Sequence, residues 1–248
     1  MENRTLSALD HPNTTIKRKD FIEKKPFMRQ IYTEWYQLIK QQLPDHSTRL
    51  IELGTGPGFM NHEIPAVISS DLLYLPYIDI LMDGRQLPFK SYSIDGILMV
   101  DVFHHISNVE DLFSEADRIL RTGGRVIMVE PWMTAWSKWV YTRFHHESLD
   151  TTIADWAFKP SGPLSGANQA LPWIVFKRDR KRFEQKFPYI RIVNIDPIMP
   201  TTYIFGGGFS MLASFPGFLY PVVRKLEKML LRPDKTGMFA LIVLEKIK

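Results

Sequence analysis

The sequence predicts an α/β fold with a doubly wound, mostly parallel seven-stranded sheet and helices on both faces. Two observations predict it. Strand-like apolar segments alternate with helix-like segments along the chain, which favours parallel strands joined by right-handed crossovers. Residues 94–100 are almost continuously apolar, as expected for a central strand covered on both faces. The length of 248 residues suits a single domain.

Seven segments have the composition of strands, and each is bounded by turn residues or acids. The second and third are separated by a stretch that contains Pro76, so we expect only a turn or a short helix between them. The predicted strands are residues 49–53, 66–70, 77–82, 94–100, 125–129, 190–195 and 238–247.

Two amphipathic helices flank the first part of the predicted sheet. Residues 26–43 repeat apolar side chains at helical spacing, with Pro26 in the first turn and Pro44 after the end. A second helix follows Ser107, which forms a capping-box pattern with Glu110, and we expect it to end at Gly123 and Gly124.

The rest of the chain divides around this core. We expect an N-terminal arm and helix over 1–45, a cofactor-binding core over 49–131 and an insertion over 132–187 that covers one edge of the sheet. The final part, 188–248, contains the uncharged stretch 197–223, whose glycines and prolines exclude a continuous membrane helix. Two interpretations of that stretch stay open: a buried pocket wall, or a loop that lies on a bilayer surface.

Composition narrows the function classes. The absence of cysteine excludes disulfides, thiolate metal ligands and a cysteine nucleophile. Residues 1–10 lack the apolar stretch of a secretory signal, so we expect a cytoplasmic protein. The net charge of +4 comes largely from two basic clusters, 17–25 and 177–182, read as solvated helix faces, with anionic lipid or a phosphorylated substrate as alternatives. No nucleic-acid-binding module is recognisable, and we expect no nucleic-acid partner.

A glycine-rich turn follows the first strand, in the sequence Leu-Ile-Glu-Leu-Gly-Thr-Gly-Pro-Gly at 50–58. A dinucleotide site places its third glycine three residues after the second, whereas Gly58 comes one residue early. Glu52 would repel phosphate but accept hydrogen bonds from a cationic amine. The turn therefore suits S-adenosylmethionine, which carries an ammonium and a sulfonium. The predicted cofactor-binding residues of the turn are Glu52, Gly54, Thr55, Gly56 and Gly58.

Four of the first five predicted strands end in an acid, at the sheet edge where ligands of open α/β sheets bind. We expect Asp71 to accept the ribose hydroxyls, and Asp83, with the Gly84 backbone, to meet the adenine. Helix capping or a turn would explain these aspartates equally simply. Asp101 completes the cofactor set, and Phe103 would pack on the adenine or near the sulfonium, unless it belongs to the core.

Histidines supply the candidate catalytic residues. His104 and His105 follow the fourth strand and could deprotonate an acceptor hydroxyl, with one of the two serving a structural role. His145, in the insertion, is a third candidate base. We expect no metal at His145, His146 and Glu147, because neighbouring residues rarely direct two imidazoles to one ion.

Together these residues resemble the class I S-adenosylmethionine-dependent methyltransferases, and in particular the small-molecule branch called methyltransferase type 11. The resemblance spans about residues 49–131 and implies a Rossmann-like fold and S-adenosyl-L-methionine as the cofactor. It is carried by the turn 52–58, by Asp83 with the Leu-Pro-Phe of 87–89, by 93–96, by 103–105, by Glu115 and by 118–124.

The resemblance implies methyl transfer by in-line displacement to a small-molecule acceptor. The tryptophans and the uncharged stretch 197–223 favour an apolar or lipid-linked acceptor and peripheral contact with the inner face of a membrane. Two alternatives remain. A noncatalytic S-adenosylmethionine-binding protein would share the cofactor site, and an NAD(P)-dependent oxidoreductase would need the wider glycine spacing.

Overall fold

The computed structural model describes residues 10–144, 147–158, 162, 166–208 and 214–248. Seven strands form one sheet in the order β3-β2-β1-β4-β5-β7-β6, which confirms the predicted fold class. The strands are β1 (Leu50–Glu52), β2 (Val67–Asp71), β3 (Ile80–Leu81), β4 (Ile94–Val100), β5 (Leu120–Pro131), β6 (Ile190–Ile198) and β7 (Phe239–Lys246).

The strand directions define where a ligand can bind. Strands β1 to β5 pair in parallel, whereas β7 runs antiparallel to both β5 and β6. The chain leaves β1 towards β2 on one side and later returns to β4 on the other. A crevice therefore opens beyond the carboxyl ends of β1 and β4, where the strand order reverses.

Helices cover the sheet and fill its edges. Helix α2 starts with proline, as predicted, and buries an aromatic and aliphatic face that includes Phe27, Ile31 and Trp35. The helices are α1 (Pro12–Lys24), α2 (Pro26–Gln41), α3 (Met60–Glu63), α4 (Val109–Ile119), α5 (Ala135–Phe144), α6 (Leu171–Trp173), α7 (Arg180–Lys186), α8 (Thr202–Phe205), α9 (Tyr220–Leu230) and α10 (Pro233–Thr236).

The boundaries of α4 correct two predictions. Its N-cap is Asn108, whose side-chain oxygen accepts from the amides of Glu110 and Asp111, so the predicted capping box at Ser107 is wrong. Ser107 instead accepts a hydrogen bond from Arg85. The helix ends at Ile119, ahead of the glycines, because β5 already begins at Leu120 and pairs there with β4.

The third strand is shorter than predicted, with only Ile80 and Leu81 paired to β2. No helix lies between β2 and β3, both of which belong to the described part of the chain, and this agrees with the expected short crossover. Asp79 closes the connection by accepting from the amide and hydroxyl of Ser69, both within 2.8 Å. A backbone hydrogen bond from the Asp79 amide to Ser69 O, at 3.0 Å, accompanies these side-chain contacts.

The insertion contributes to the core as well as covering the sheet. Trp156 is buried and donates its indole N–H to Asp179 at 2.9 Å. A π-helical turn, Ile174–Arg178, carries Phe176 into a ring cluster with Phe103, Phe113 and Phe183. In the described residues, no helix combines the length and hydropathy that a bilayer crossing requires.

Candidate functional site

A cavity of about 290 Å³ lies at the carboxyl ends of β1 and β4. Its floor comes from the predicted glycine-rich turn and the strand ends, and its walls come from α1, α2 and the C-terminal part of the chain. The position agrees with the ligand site expected for this strand order.

The glycines of the turn are required by its backbone. Gly54 and Gly56 have φ angles of 64° and 51°, in the left-handed region that side chains disfavour. A Cβ on Gly54 would lie 2.6 Å from Cγ2 of Val102, so the turn packs directly on the loop after β4. The Thr55 amide donates to Ser70 O at 2.7 Å and ties the turn to β2.

Gly58 serves the packing of the turn. A Cβ there would lie 2.6 Å from the Tyr36 hydroxyl, which accepts from the amide of Phe59. Lys19 of α1 donates to Gly58 O at 2.7 Å. Gly58 is not among the described residues that line the cavity, and it lets α1 and α2 approach the turn.

Asp71 lines the cavity at the end of β2. Its two carboxylate oxygens accept from the amides of Gly56 and Leu73, each at 2.8 Å. Burial raises the pKa of this carboxyl, while the two amides act in the opposite direction. No helix follows Asp71 before β3, so the carboxylate forms a turn and does not cap a helix. Each oxygen retains a lone pair for a further donor, so the turn role and the predicted ribose role fit one side chain.

Glu52 lies at the base of the cavity and is 2% exposed. Burial raises the pKa of its carboxyl to about 7, partly offset by the hydrogen bond from Thr55, whose hydroxyl is 2.8 Å from Oε2. A cation brought into the cavity would favour the ionised form of Glu52. Binding of a positively charged ligand would therefore change the protonation of Glu52.

Asp83 and Gly84 differ in their position relative to the cavity. Gly84 lines the cavity, and a Cβ on it would lie 3.2 Å from Leu53. The Asp83 carboxylate turns to Arg85, with the shortest contact 2.6 Å, and is not among the described lining residues. The Arg85 guanidinium also lowers the pKa of Asp83 against the effect of its partial burial. A contact with adenine would require this ion pair to open.

Asp101 lines the cavity after β4 with a φ of 61°, which is unusual for a residue other than glycine. Its amide donates to Val129 O at 2.9 Å and so holds the strained backbone against β5. Burial raises the pKa of its carboxyl to about 7, and nearby Glu130 and Glu147 act in the same direction.

Phe103 belongs to the core. It is fully buried, its ring centroid lies 5.3 Å from that of Phe176, and it is not among the described residues that line the cavity. Its position therefore corrects the expectation that the ring packs on a nucleoside. The aromatic residues that do line the cavity come from helices: Phe21, Tyr32, Tyr36 and Tyr203.

His104 is held between two carboxylates. Its Nδ1 lies 2.8 Å from Glu130 Oε2, and its Nε2 lies 3.3 Å from Glu147 Oε2. Burial would lower the pKa of His104, but the two carboxylates outweigh it and raise the pKa well above its usual range. A buried, protonated imidazole with both nitrogens engaged cannot accept a proton, so its position favours the structural role.

His105 faces the cavity instead. Its Nδ1 lies 3.2 Å from Gly166 O, which assigns the proton to Nδ1 and leaves the Nε2 lone pair free to accept. Burial, together with the charge of His104, lowers the pKa of His105 to about 3. It is a hydrogen-bond acceptor and a weak base. His145, the third predicted base, lies outside the described residues.

The walls were not foreseen from the sequence. Residues Arg18, Phe21 and Ile22 of α1 line the cavity, as do Met28, Tyr32 and Tyr36 around α2. Their helical spacing indicates a packed face and carries no sign that part of the face borders a cavity. Glu147 and Tyr203 complete the wall from distant parts of the chain.

Tyr203 lies on α8, which hydrogen bonds to α9 hold in place. Glu227 of α9 accepts from the amide and hydroxyl of Thr202, at 2.8 and 2.6 Å. Arg224 pairs with Glu227 and with Glu34 of α2, and these contacts fix the C-terminal segment against the cofactor side of the fold. The stretch 197–223 thus provides part of the cavity wall.

The charge balance of the cavity is acidic. Its described lining includes four carboxyl groups, Glu52, Asp71, Asp101 and Glu147, and a single guanidinium, that of Arg18. Such a lining attracts a cation and repels a pyrophosphate. This distinguishes the cavity from a dinucleotide site, which needs donors for phosphate.

Sequence comparison identifies the same region. Residues 52–128 match the family model described as Methyltransferase domain. A demethylmenaquinone methyltransferase of Tropheryma whipplei is 37% identical over 49 residues, which are 20% of this chain and 20% of that protein. The match thus spans a fifth of the length of this curated relative.

Solved structures share the fold over nearly the whole chain. A methyltransferase from a Haloferax volcanii complex with the activator Trm112 aligns with a TM-score of 0.56 at 14% identity, covering 98% of both chains. A methyltransferase of Thermotoga maritima aligns at 0.55 and 14%, covering 95% and 97%. The geranyl diphosphate C-methyltransferase of Streptomyces coelicolor, solved with S-adenosyl-L-homocysteine, aligns at 0.52 and 13%, covering 99% and 89%. At these identities the likeness concerns the fold.

Proposed function

We propose that this chain is an S-adenosylmethionine-dependent methyltransferase that acts on a small apolar or lipid-linked acceptor. The match of residues 52–128 to a methyltransferase-domain model and the fold shared with solved methyltransferases support the proposal. The observation that carries the proposal is the acidic cavity behind the glycine-rich turn. It combines a close backbone approach at Gly54 and Gly56 with carboxyl groups at the ends of three neighbouring strands.

The residues fit S-adenosylmethionine by the chemistry of their donor and acceptor atoms. Asp71 keeps lone pairs for the ribose hydroxyls, and Glu52 and Asp101 offer negative charge to the ammonium and sulfonium. Gly84 lines the same cavity and offers its backbone to the adenine. When bound, this cofactor supplies a methyl group already activated by the positive charge on sulfur.

The chain's own contribution is then mostly positioning and exclusion of water. Tyr32, Tyr36 and Tyr203 surround the cavity with rings, and Tyr77 closes the turn by donating its hydroxyl to Gly56 O at 2.9 Å. His105 Nε2 accepts a hydrogen bond from the acceptor and orients the attacking atom. Its low pKa makes it unsuited to hold the acceptor's proton, which passes to solvent.

The apolar acceptor is supported by the lining of the cavity and by α9. In this helix, Arg224 and Glu227 are buried while Val222, Leu226, Met229 and Leu230 are 49–73% exposed. We call these four residues the α9 apolar stripe. They recur at helical spacing, and the exposed Lys225 and Lys228 accompany them, as in helices that lie on anionic membranes.

This arrangement supports a cytoplasmic protein that rests on the inner face of a membrane. Helix α9 contacts α8, which carries Tyr203 into the cavity wall, so the stripe and the cavity belong to one connected segment. The proteins similar to this chain include a demethylmenaquinone methyltransferase and a geranyl diphosphate C-methyltransferase. An acceptor dissolved in the membrane would enter from the side of α9.

Calorimetry with four ligands tests the cofactor. We expect S-adenosylmethionine and S-adenosylhomocysteine to bind and NADH and NADPH to show no heat of binding. Preference for a nicotinamide dinucleotide would overturn the proposal and favour an oxidoreductase.

Catalysis needs a separate readout. The protein is incubated with S-adenosylmethionine and either an organic-solvent lipid extract or a water-soluble extract, and S-adenosylhomocysteine is quantified. We expect product with the lipid extract. Binding without product in either extract would favour the noncatalytic cofactor-binding protein.

A further inference from the structure

Three side chains with metal-ligating atoms converge beside the cavity. One ligand atom each from His104, His105 and Glu147 lies within 4.8 Å of the others. His104 and His105 come from the 3₁₀ turn after β4, and Glu147 comes from the insertion more than forty residues later in the chain. The fold, and not sequence proximity, brings the carboxylate to the two imidazoles.

Both imidazoles are oriented in the same way. His104 Nδ1 is bound by Glu130 Oε2 at 2.8 Å, and His105 Nδ1 is bound by Gly166 O at 3.2 Å. The Nε2 atoms are thereby directed to Glu147, at 3.3 Å for His104 and 3.8 Å for His105. Metal-ligating histidines are typically fixed by a carboxylate or carbonyl on the second ring nitrogen, as seen here.

The carboxylate is also positioned from outside the cluster. Gln169 donates its side-chain amide to Glu147 Oε2 at 2.9 Å. Oε1 is the oxygen closer to His105, and both residues line the cavity. Each of the three ligands is thus held by a second residue outside the cluster. The cavity adjoins the cluster on the side of His105 and Glu147.

We infer that His104, His105 and Glu147 form a binding site for one divalent first-row transition-metal ion. Two imidazoles and one carboxylate suit zinc, iron or manganese, whereas magnesium and calcium prefer oxygen ligands. Two donors each about 2.1 Å from a tetrahedral ion lie about 3.4 Å apart. The 3.3 Å separation of His104 and Glu147 already matches this distance. His105 approaches the other oxygen of Glu147 at 3.8 Å, and the three ligand atoms lie within 4.8 Å of one another, so they must draw together to bind one ion.

Open coordination positions on the cavity side would accept water or an oxygen of a ligand. Because a bound ion takes the Nε2 lone pair of His105, the ion would replace the hydrogen bond from the methyl acceptor to His105. Coordination of the methyl acceptor at that position rests on the proposed function. Metal binding itself does not, because the three ligands are complete without a cofactor. The ion would displace the Nε2 proton of His104 to solvent. The alternative is a hydrogen-bonded network that binds no ion, and the following titration decides between them.

The test titrates Mn²⁺ into EDTA-treated, cofactor-free protein and follows free Mn²⁺ by electron paramagnetic resonance. We expect one site per chain. Glu147→Gln and His105→Gln should each weaken it at least tenfold, since each removes one of three ligands. Two exposed residues provide matched controls, and Glu184→Gln and His62→Gln should leave the affinity unchanged.

Circular dichroism checks that each variant is folded, and a crystal soaked in Mn²⁺ gives an independent readout if a variant is not. An anomalous peak among the three side chains supports the site. A peak elsewhere, or equal binding by all variants, overturns it. The calorimetric titration with S-adenosylhomocysteine is unaffected by that failure, so the two proposals can fail separately.

Discussion

His104 Nδ1 and Glu130 Oε2 lie 2.8 Å apart, in a pair whose side chains are 1% and 0% exposed. The other oxygen of Glu130 accepts from the amides of Val102 and Phe103, at 2.8 and 2.7 Å. One carboxylate at the end of β5 therefore fixes both the turn after β4 and the imidazole that the turn carries.

Removal of this carboxylate should be strongly destabilising. Glu130→Ala leaves a buried imidazolium and two backbone amides without their acceptor, and we expect a loss of about 3–5 kcal/mol in the free energy of unfolding. Urea denaturation measures the loss. The exposed Glu184, paired with Arg180 on α7, provides the control, and Glu184→Ala should cost at most about 1 kcal/mol. Similar losses in both variants would contradict the role assigned to Glu130.

Asp71→Asn tests the ribose assignment. The asparagine retains one carbonyl oxygen for a backbone amide but loses the charge that strengthens hydrogen bonds to hydroxyl groups. We expect S-adenosylhomocysteine to bind about 10–150-fold more weakly, the equivalent of about 1.5–3 kcal/mol. Calorimetry measures the affinity. Asp79→Asn, which alters the neighbouring turn outside the cavity, should leave it unchanged, and an unaltered affinity in Asp71→Asn would refute the assignment.

Gly54→Ala and Gly123→Ala separate backbone strain from a steric clash. Both positions have positive φ, so each substitution should cost about 1 kcal/mol or more of stability. At Gly54 the new Cβ would meet the side chain of Val102, whereas at Gly123 no atom of the described residues lies within 4 Å. We expect loss of S-adenosylhomocysteine binding in Gly54→Ala alone.

A second substitution tests the cause of that loss. Val102→Ala removes the atoms that clash, so the double variant with Gly54→Ala should recover part of the stability lost in the single variant. Thermal unfolding of the four proteins gives the coupling between the positions. Additive effects would show that the clash with Val102 is not the cause.

Glu52 makes stability depend on pH. Its folded-state pKa is raised from 4.5 to about 7 by burial, so the folded protein holds a proton that the unfolded chain releases between these values. The free energy of unfolding should therefore fall as pH rises from about 4.5 to about 7, with Glu52 contributing about 3 kcal/mol. Below pH 4.5 this contribution is fully present.

Glu52→Gln should remove that contribution, because the amide does not titrate and can still accept from Thr55. The measurement is urea denaturation of both proteins at several pH values. Other groups, including Asp101, titrate in both proteins and cancel in the difference. A difference that stays constant from pH 4.5 to 7 would contradict a raised pKa at Glu52.

The α9 apolar stripe should determine membrane contact. Leu226→Gln together with Leu230→Gln removes much of the exposed apolar area while Arg224 and Glu227 keep the buried face intact. We expect sedimentation with anionic phosphatidylserine vesicles to fall several-fold relative to the native chain. Tyr74→Gln, which removes another exposed ring, is the control. Equal sedimentation of all three proteins, or none at low salt, would exclude the contact.

The sheet was predictable because strands covered on both faces leave continuous apolar segments. Residues 94–100 were assigned as a strand with the bounds that the structure has, and the other six strands were located with differences at their ends. The predicted third strand begins too early, since Tyr77 and Ile78 belong to a turn that Asp79 holds. Side-chain hydrogen bonds of this kind leave no periodic pattern in a sequence.

The floor of the site was predictable and its walls were not. Residues at strand ends must lie at one edge of a parallel sheet, so Glu52, Asp71 and Asp101 were assigned to that edge together. The position of Phe103 could not be predicted in this way, because in a turn neighbouring side chains point in different directions. Its ring lies in the core, while neighbouring residues of the turn line the cavity. Tyr32 and Tyr203 come from distant segments, and their approach depends on tertiary packing that no local spacing encodes.

The region that matches the family model runs from residue 52 to residue 128. The cavity is also enclosed by parts of the chain outside that region, namely α1, α2, Glu147 and Tyr203. A fragment limited to residues 52–128 would keep the glycine-rich turn and the strand ends, but it would lose the segments that enclose the cavity. If the chain acts as proposed, retention of the methyl donor and choice of the acceptor are encoded in different stretches of chain. To change the methyl acceptor by engineering, one would alter the enclosing segments and leave the glycine-rich turn unchanged.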